Sequence, residues 1–236
     1  MLDLRRYHAD VKRRDVQLCL IMNIHYRTTL AKHEGKTAMA RQTKDATYRK
    51  LRTAVVAEAV EKGFAGTSVA GVVNRAQVSA GTVYVHFENK DAMLQRIYLD
   101  IKAEFHAAIM AAQDEADSAQ RVRRMWTGMF DFVRQSPEAF LFLEFGSTAK
   151  ILTPAQSVTT ERYAQEIQSL LTRGIDDGTL APLNVTLLAL LLTAPAMQLA
   201  RNHVQKGQKI TIEIVDQTFE RVWLSIANTA QKVEKE

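Results

Sequence analysis

The side chains best placed to do chemistry lie in two short stretches, and the chemistry is hydrogen bonding to an anion. Thr67 and Ser68 stand just before an apolar run of Val69, Val72, Val73 and Ala76. Ser79 stands just before the segment Ala80–His86, which carries Thr82, Tyr84 and His86; Lys90 follows. A Ser or Thr in that place caps a helix by accepting one of its free N–H groups. The remaining N–H groups and the helix dipole make the helix start attractive to phosphate. Two short helices joined by Gln77-Val78-Ser79, with Val78 turned to the core, read as a helix-turn-helix whose second helix enters a major groove.

Other chemistries find little support. The six histidines, His8, His25, His33, His86, His106 and His203, form no metal-binding pair at helical spacing with a carboxylate partner. No glycine-rich phosphate loop and no nucleophile elbow occur. Cys19 is the single cysteine, with no base or basic cluster to activate it. No metal, no cofactor and no enzymatic activity are expected. One cysteine also precludes an internal disulfide and suits a reducing cytoplasm.

These residues must be held by helices. Glycine and proline are few, 10 and 4 in 236 residues, and 47% of the chain is hydrophobic. Leu51, Val55, Val56, Ala59 and Val60 share one face of a first helix, which Gly63 ends. Nine helices are expected from Thr47 onward, the fourth over Asn89–Gln113. The class is all-α, with no convincing strand, although Thr211-Ile212-Glu213-Ile214 alternates like one. The most apolar run, Leu183–Leu199, is interrupted by Asn184, Thr186, Thr193, Pro195 and Gln198. It is read as a buried helix, and no membrane partner is expected.

Charge separates the front from the back. Residues 1–91 hold 16 Lys and Arg against 9 Asp and Glu; residues 92–236 hold 15 against 17. A basic front suggests a polyanionic partner there. Residues 1–38 carry Arg5, Arg6, Lys12, Arg13 and Arg14 but no helical or strand period. Translation is expected to begin at Met39, since the codons for Glu34-Gly35 can spell a ribosome-binding sequence. The alternative is a basic arm lying along DNA. The domains expected are the extension 1–38, a DNA-binding domain 39–91, and a second helical domain 92–236.

Gly63-Phe64-x-x-Thr67-Ser68-Val69, then Val78-Ser79-x-Gly81-Thr82-x-Tyr84-x-His86-Phe87-x-x-Lys90, resembles the tetracycline-repressor family over roughly 45 residues. The resemblance implies an all-helical homodimer. Three N-terminal helices would bind double-stranded operator DNA, and the C-terminal helices would hold a ligand cavity and the dimer interface. It implies phosphate contacts for Tyr84, His86, Lys90 and either Thr67 or Ser68. It also implies a regulator, in most members a repressor released by a small molecule; an activator, a ligand-independent regulator, or a helical protein that has lost DNA binding are alternatives. Two positions depart from the family pattern. Gln77 stands where glycine is usual, so a positive φ there would be strained. Val73 stands where alanine is usual.

Base reading is sparse. Ala80, Gly81, Thr82 and Val85 form the exposed face of the reading helix, and none can make a bidentate base contact. DNA shape, or Asn74, Arg75 and Gln77 nearby, must then contribute. For the effector, an unknown small and largely apolar molecule, the candidate lining is Trp126, Met129, Phe130, Phe140, Leu143 and Met197. His106, Glu144 and Arg201 are the candidate orienting groups. For the dimer, Leu187, Leu190, Leu191 and Ala194 recur at helical spacing, beside Ile214, Val215, Thr218, Val222 and Ser225 of the last helix. Two such helices from each chain would form a four-helix bundle.

Overall fold

The computed structural model describes residues 43–228. The expectations for residues 1–38 lie outside that range. The described residues divide after Lys50 into two units. Residues 43–50 are the opening turns of a first helix, α1, which runs over 43–66. Leu51, Val55, Val56 and Ala59 of its later turns are buried, the face foreseen from their spacing. Gly63 takes φ +70°, yet one more turn follows, closed by the Thr67 N–H on the Gly63 carbonyl at 3.0 Å.

Eight further helices follow: α2 Val69–Ala76, α3 Ala80–His86, α4 Lys90–Met110, α5 Ser118–Gln135, α6 Pro137–Ala149, α7 Pro154–Asp176, α8 Val185–Lys206 and α9 Ile212–Ile226. Their starts follow local rules. Ser68, Ser79, Asn89, Asp117, Thr153, Asn184 and Thr211 each cap a helix with a side-chain oxygen, and Pro137 and Pro154 stand where no N–H is needed. The strand-like run at 211–214 is a helix start instead. Thr211 accepts from the Ile214 N–H, and the buried set Val215, Phe219, Val222 and Ile226 has helical period. Among the described residues no strand forms beyond a single bridge between Leu180 and Ala227.

Residues 51–91 and 92–228 pack as parts of one unit. Phe64 at the end of α1 lies 4.8 Å from Phe142 of α6, ring centre to ring centre. Gly146 of α6 lets Tyr98 of α4 approach; a Cβ there would sit 2.6 Å from the Tyr98 ring. Arg52 of α1 holds Glu104 of α4 through both carboxylate oxygens, at 2.7 and 2.5 Å. Gly128 of α5 permits an even tighter crossing, since a Cβ there would fall 2.2 Å from the Ala108 carbonyl oxygen of α4. The α4 helix therefore meets α1 at Glu104 and is clamped to α5 one turn later at Ala108.

By length and a mean hydropathy of 1.2, α8 could cross a membrane, contrary to the reading of its interrupted sequence. Only 22% of its most apolar window is buried. Leu188, Leu192, Ala196 and Ala200 face the core, while Leu187 and Leu190 are 43% and 58% exposed.

Candidate DNA-binding face and ligand cavity

The turn between α2 and α3 is built around Gln77, which adopts φ 54°, ψ 48°. That is the left-handed conformation anticipated from the missing glycine. A side chain there costs about 1 kcal/mol or more. The Gln77 amide offsets part of this by donating to the Asn74 carbonyl at 2.6 Å. Gln77→Gly is expected to raise stability by up to ~1 kcal/mol in urea melts; a loss of stability would show that the amide bond outweighs the strain.

Beyond the turn, Ser79 Oγ accepts from the Thr82 N–H at 3.2 Å and lies 2.9 Å from the Thr82 hydroxyl. Val83 is buried, as are Val72 and Phe87, so α3 sits on the core along one edge only. Its other side is uncovered. Ala80 and Gly81 are exposed, Tyr84 is 57% exposed and Val85 70%. His86 is half-buried beside Phe87. Lys90 donates to the Ala65 carbonyl at 3.2 Å, which ties the start of α4 to the end of α1 and leaves two N–H donors for another acceptor.

Two expectations for this face change. Thr67 is 2% exposed, and its hydroxyl donates to the Gly63 carbonyl at 2.8 Å, so it has no hydroxyl hydrogen to offer a phosphate. The exposed Ser68 is the capping residue and holds that position alone. Arg75 is not a free base reader. It donates to buried Glu58 at 2.7 Å and also pairs with Glu61. Lys62 completes this group at 2.8 Å from Glu58. The Glu58 carboxyl is held below its usual range, first by the Lys62 hydrogen bond and then by that of Arg75. Glu58 was not singled out from sequence, although its place on the apolar face with Val55 and Ala59 marked it as unusual.

A cavity of about 250 Å³ opens among α4, α5, α7 and α8. Of the candidate ligand residues, His106, Met129 and Met197 line it. The others do not. Trp126 is fully buried and donates to the Val215 carbonyl at 3.2 Å, with its ring against Phe130 and Phe219, so it fastens α5 to α9. Phe140 and Leu143 are buried on α6. Glu144 and Arg201 hold each other at 2.7 Å between α6 and α8. Lys102, Phe105 and Tyr163 line the cavity and were missed. Lys102 stands four residues after buried Tyr98, so helical period carries it toward the inner side of α4. A broader groove of about 470 Å³ lies between α5 and α9 around Arg123 and Leu224, but α4 contributes nothing to it.

On the expected dimer face, Leu187, Leu190, Ala194, Ile214 and Ser225 are exposed, and Leu191 and Thr218 are half-buried. Val222 and Val215 are buried within their own subunit and point to its core, not to a partner.

Comparisons agree with this architecture. Residues 51–97 match the family model for bacterial regulatory proteins, tetR family, and residues 118–227 match that for the tetracyclin repressor-like, C-terminal domain. A Haemophilus influenzae protein described as an HTH-type transcriptional regulator is 25% identical over 198 residues, which cover 82% of this chain and 98% of that one. The fold is shared with a TetR family transcription regulator from Marinobacter aquaeolei, at TM-score 0.72 and 23% identity over 80% of this chain and 99% of the other. A TetR-family regulator from Haemophilus influenzae gives TM-score 0.61 at 24% identity, over 79% and 99%. Both halves of the described chain thus match one family in succession, and the protein belongs to the tetracycline-repressor family of DNA-binding transcriptional regulators.

Proposed function

We propose that the protein is a homodimeric cytoplasmic repressor whose two α3 helices bind successive major grooves of operator DNA and are withdrawn when a small molecule fills the α4–α5–α7–α8 cavity. One observation carries the reading. On a helix of only seven residues, Tyr84 and Val85 are 57% and 70% exposed, large apolar surface turned to solvent. Exposed residues of this kind, adjacent on a short helix, fit a partner surface outside the chain. In this reading Tyr84, His86, Ser68 and Lys90 hold phosphates, while Ser79 sets the start of α3. Ala80, Gly81, Thr82 and Val85 approach the bases, chiefly through methyl contact and close backbone approach.

The cavity belongs to the same reading because of α4. Lys102, Phe105, His106 and Ile109 of this helix line the cavity, and its first turn holds the Ala65 carbonyl beside α2. A ligand that favours one position of α4 therefore favours one position of the reading helix. The dimer follows from α8. Its exposed leucines, with Ile214 of α9, suit a second copy better than a bilayer, since Arg201, His203 and Lys206 crowd one end of the helix.

Tyr84→Phe is expected to weaken operator and non-specific DNA alike. Lys90→Gln should lower the slope of log affinity against log salt by about 0.9 per subunit. Fluorescence anisotropy with both DNAs over a salt series measures the two effects. A loss confined to operator would mean that Tyr84 reads a base and does not hold the backbone.

A further inference from the structure

The walls of the cavity are mostly apolar: Phe105, Ile109, Met129, Ile167 and Met197. Two polar side chains stand out against these walls, a half-buried lysine and a histidine with one ring nitrogen unpaired. The first is Lys102. Burial pushes its ammonium below the usual lysine range, and the field of Glu144 only partly opposes this. The Glu144 carboxylate is already held by Arg201 at 2.7 Å. Among the described residues, Lys102 has no ion pair and no hydrogen-bond acceptor; its ammonium lies 5.7 Å from the centre of the Phe105 ring.

The second is His106. Its Nε2 lies 2.6 Å from a Glu166 carboxylate oxygen, and its ring is stacked on Tyr163 at 4.2 Å. Its Nδ1 is buried and has no partner. A buried polar atom left in that state costs about 1–3 kcal/mol. The neighbouring negative charge does not serve Lys102 either, because Glu166 is shared between His106 and Arg162. The Thr160 and Thr193 hydroxyls donate to carbonyls of their own helix. One half-buried lysine without a carboxylate partner among the described residues and one orphan ring nitrogen thus share a largely apolar chamber.

We propose that the effector is a small organic acid, with its carboxylate at Lys102 and His106 and its apolar body against Phe105, Ile109, Met129 and Met197. This rests on the reading of the cavity as the effector site and replaces the expectation of a largely apolar molecule. Carboxylate is the chemistry that satisfies both groups. One oxygen accepts from the ammonium. The other meets Nδ1 as O–H···N or as O⁻···H–N⁺, whichever atom holds the proton, while Nε2 keeps Glu166. At ~30 Å³ per water-sized group, the chamber holds about eight such groups. That suits a medium-chain or a monocyclic aromatic acid and excludes a large polycyclic one unless the walls move.

Titration calorimetry on the full-length protein tests this with two matched pairs: octanoate against octanamide, and benzoate against benzamide. At least one acid is expected to bind about 10-fold or more tighter than its amide. Lys102→Met should abolish that preference, and Lys102→Arg should keep it. Equal affinity for acid and amide in the wild type would overturn the acid assignment and leave the cavity reading intact. Preference retained in Lys102→Met would overturn the role of Lys102. If neither acid binds, the acid assignment falls, and the cavity reading alone is tested with Met129→Trp, which fills the chamber. Operator release by a low-molecular-weight cell extract that persists in this variant would show that the effector site lies elsewhere, and the cavity reading would fall too.

Discussion

Leu190→Glu is expected to yield a folded monomer that no longer retains operator DNA. Leu190 is 58% exposed in the single subunit, so a carboxylate there can stay in water without entering its core. On the α8 face it lies between Leu187 and Ala194, the centre of the proposed two-fold contact. Across that axis the same position recurs, and two carboxylates would be desolvated without a cation. The cost is several kcal/mol, and the dimer dissociation constant should rise by about 1,000-fold or more, equivalent to ~4 kcal/mol. Operator binding falls with it, because one seven-residue helix covers too few base pairs alone. Leu188→Glu is the contrasting control. Leu188 is fully buried in its own subunit, and that variant should not fold. Sedimentation velocity with circular dichroism separates the outcomes; a Leu190→Glu dimer that still binds operator would place the interface on another surface.

The second large effect concerns Glu58 and Gly71. Glu58 is 1% exposed, held by Lys62 and Arg75, and its carboxylate occupies the space where a Cβ on Gly71 would be. The ideal Cβ would lie 1.9 Å from Glu58 Oε1. Glu58→Ala should destabilise by about 3 kcal/mol, the low end for a broken buried pair, because Lys62 and Arg75 keep access to water. For a chain of this size that is roughly 10 °C in Tm. Gly71→Ala alone should also destabilise, by driving the carboxylate out. In the Glu58→Ala background the same change should stabilise by about 1 kcal/mol, since alanine is the better helix former and the obstruction is gone. A reversal of sign is the diagnostic result, and additive losses would mean that the two residues do not share this space. The pH dependence follows from the depressed Glu58 carboxyl. Its contribution is present above the ordinary glutamate value near ~4.3 and is lost as pH falls through the lower folded value. Wild type and Glu58→Ala should therefore converge in acid.

The N-terminal helices were legible because their rules are local. Ser79 before Ala80, Asn89 before Lys90 and the glycine missing at Gln77 each act within four residues, and the backbone follows them. The cavity was less legible because it is a gap between four helices distant in sequence. Trp126 and Phe140 carry the same apolar signal as Met129, and only packing separates core filler from chamber wall. Thr67 and Ser68 look interchangeable in sequence. The turn at Gly63 decides between them by burying the first and exposing the second. Val222 failed as a surface residue for a similar reason. With Val215 and Phe219 it lies on the inner stripe of α9, whereas Ile214 and Ser225 lie outside it.

The crossing at Gly128 has a mechanical consequence. Backbone packed on backbone, with no side chain between, cannot slide easily, so α4 and α5 are pinned where Gly128 meets Ala108. From Ala108 to Lys90 is about 27 Å at ~1.5 Å per residue. The cavity residues of α4 flank this fulcrum, while the reading helix rides on the far end of the arm. A tilt of about 5°, which a ligand could impose by displacing one side chain near the pivot, would carry the far end through roughly 2 Å over that length. Spin labels at the exposed Glu88 of both subunits should register that swing on ligand binding, while labels across the Gly128 crossing stay at constant separation. A change at the crossing itself would mean that the helices slip past one another and do not pivot. In the proposed switch, a pivot so close to the chamber would give a small molecule the short side of the lever and the operator the long one.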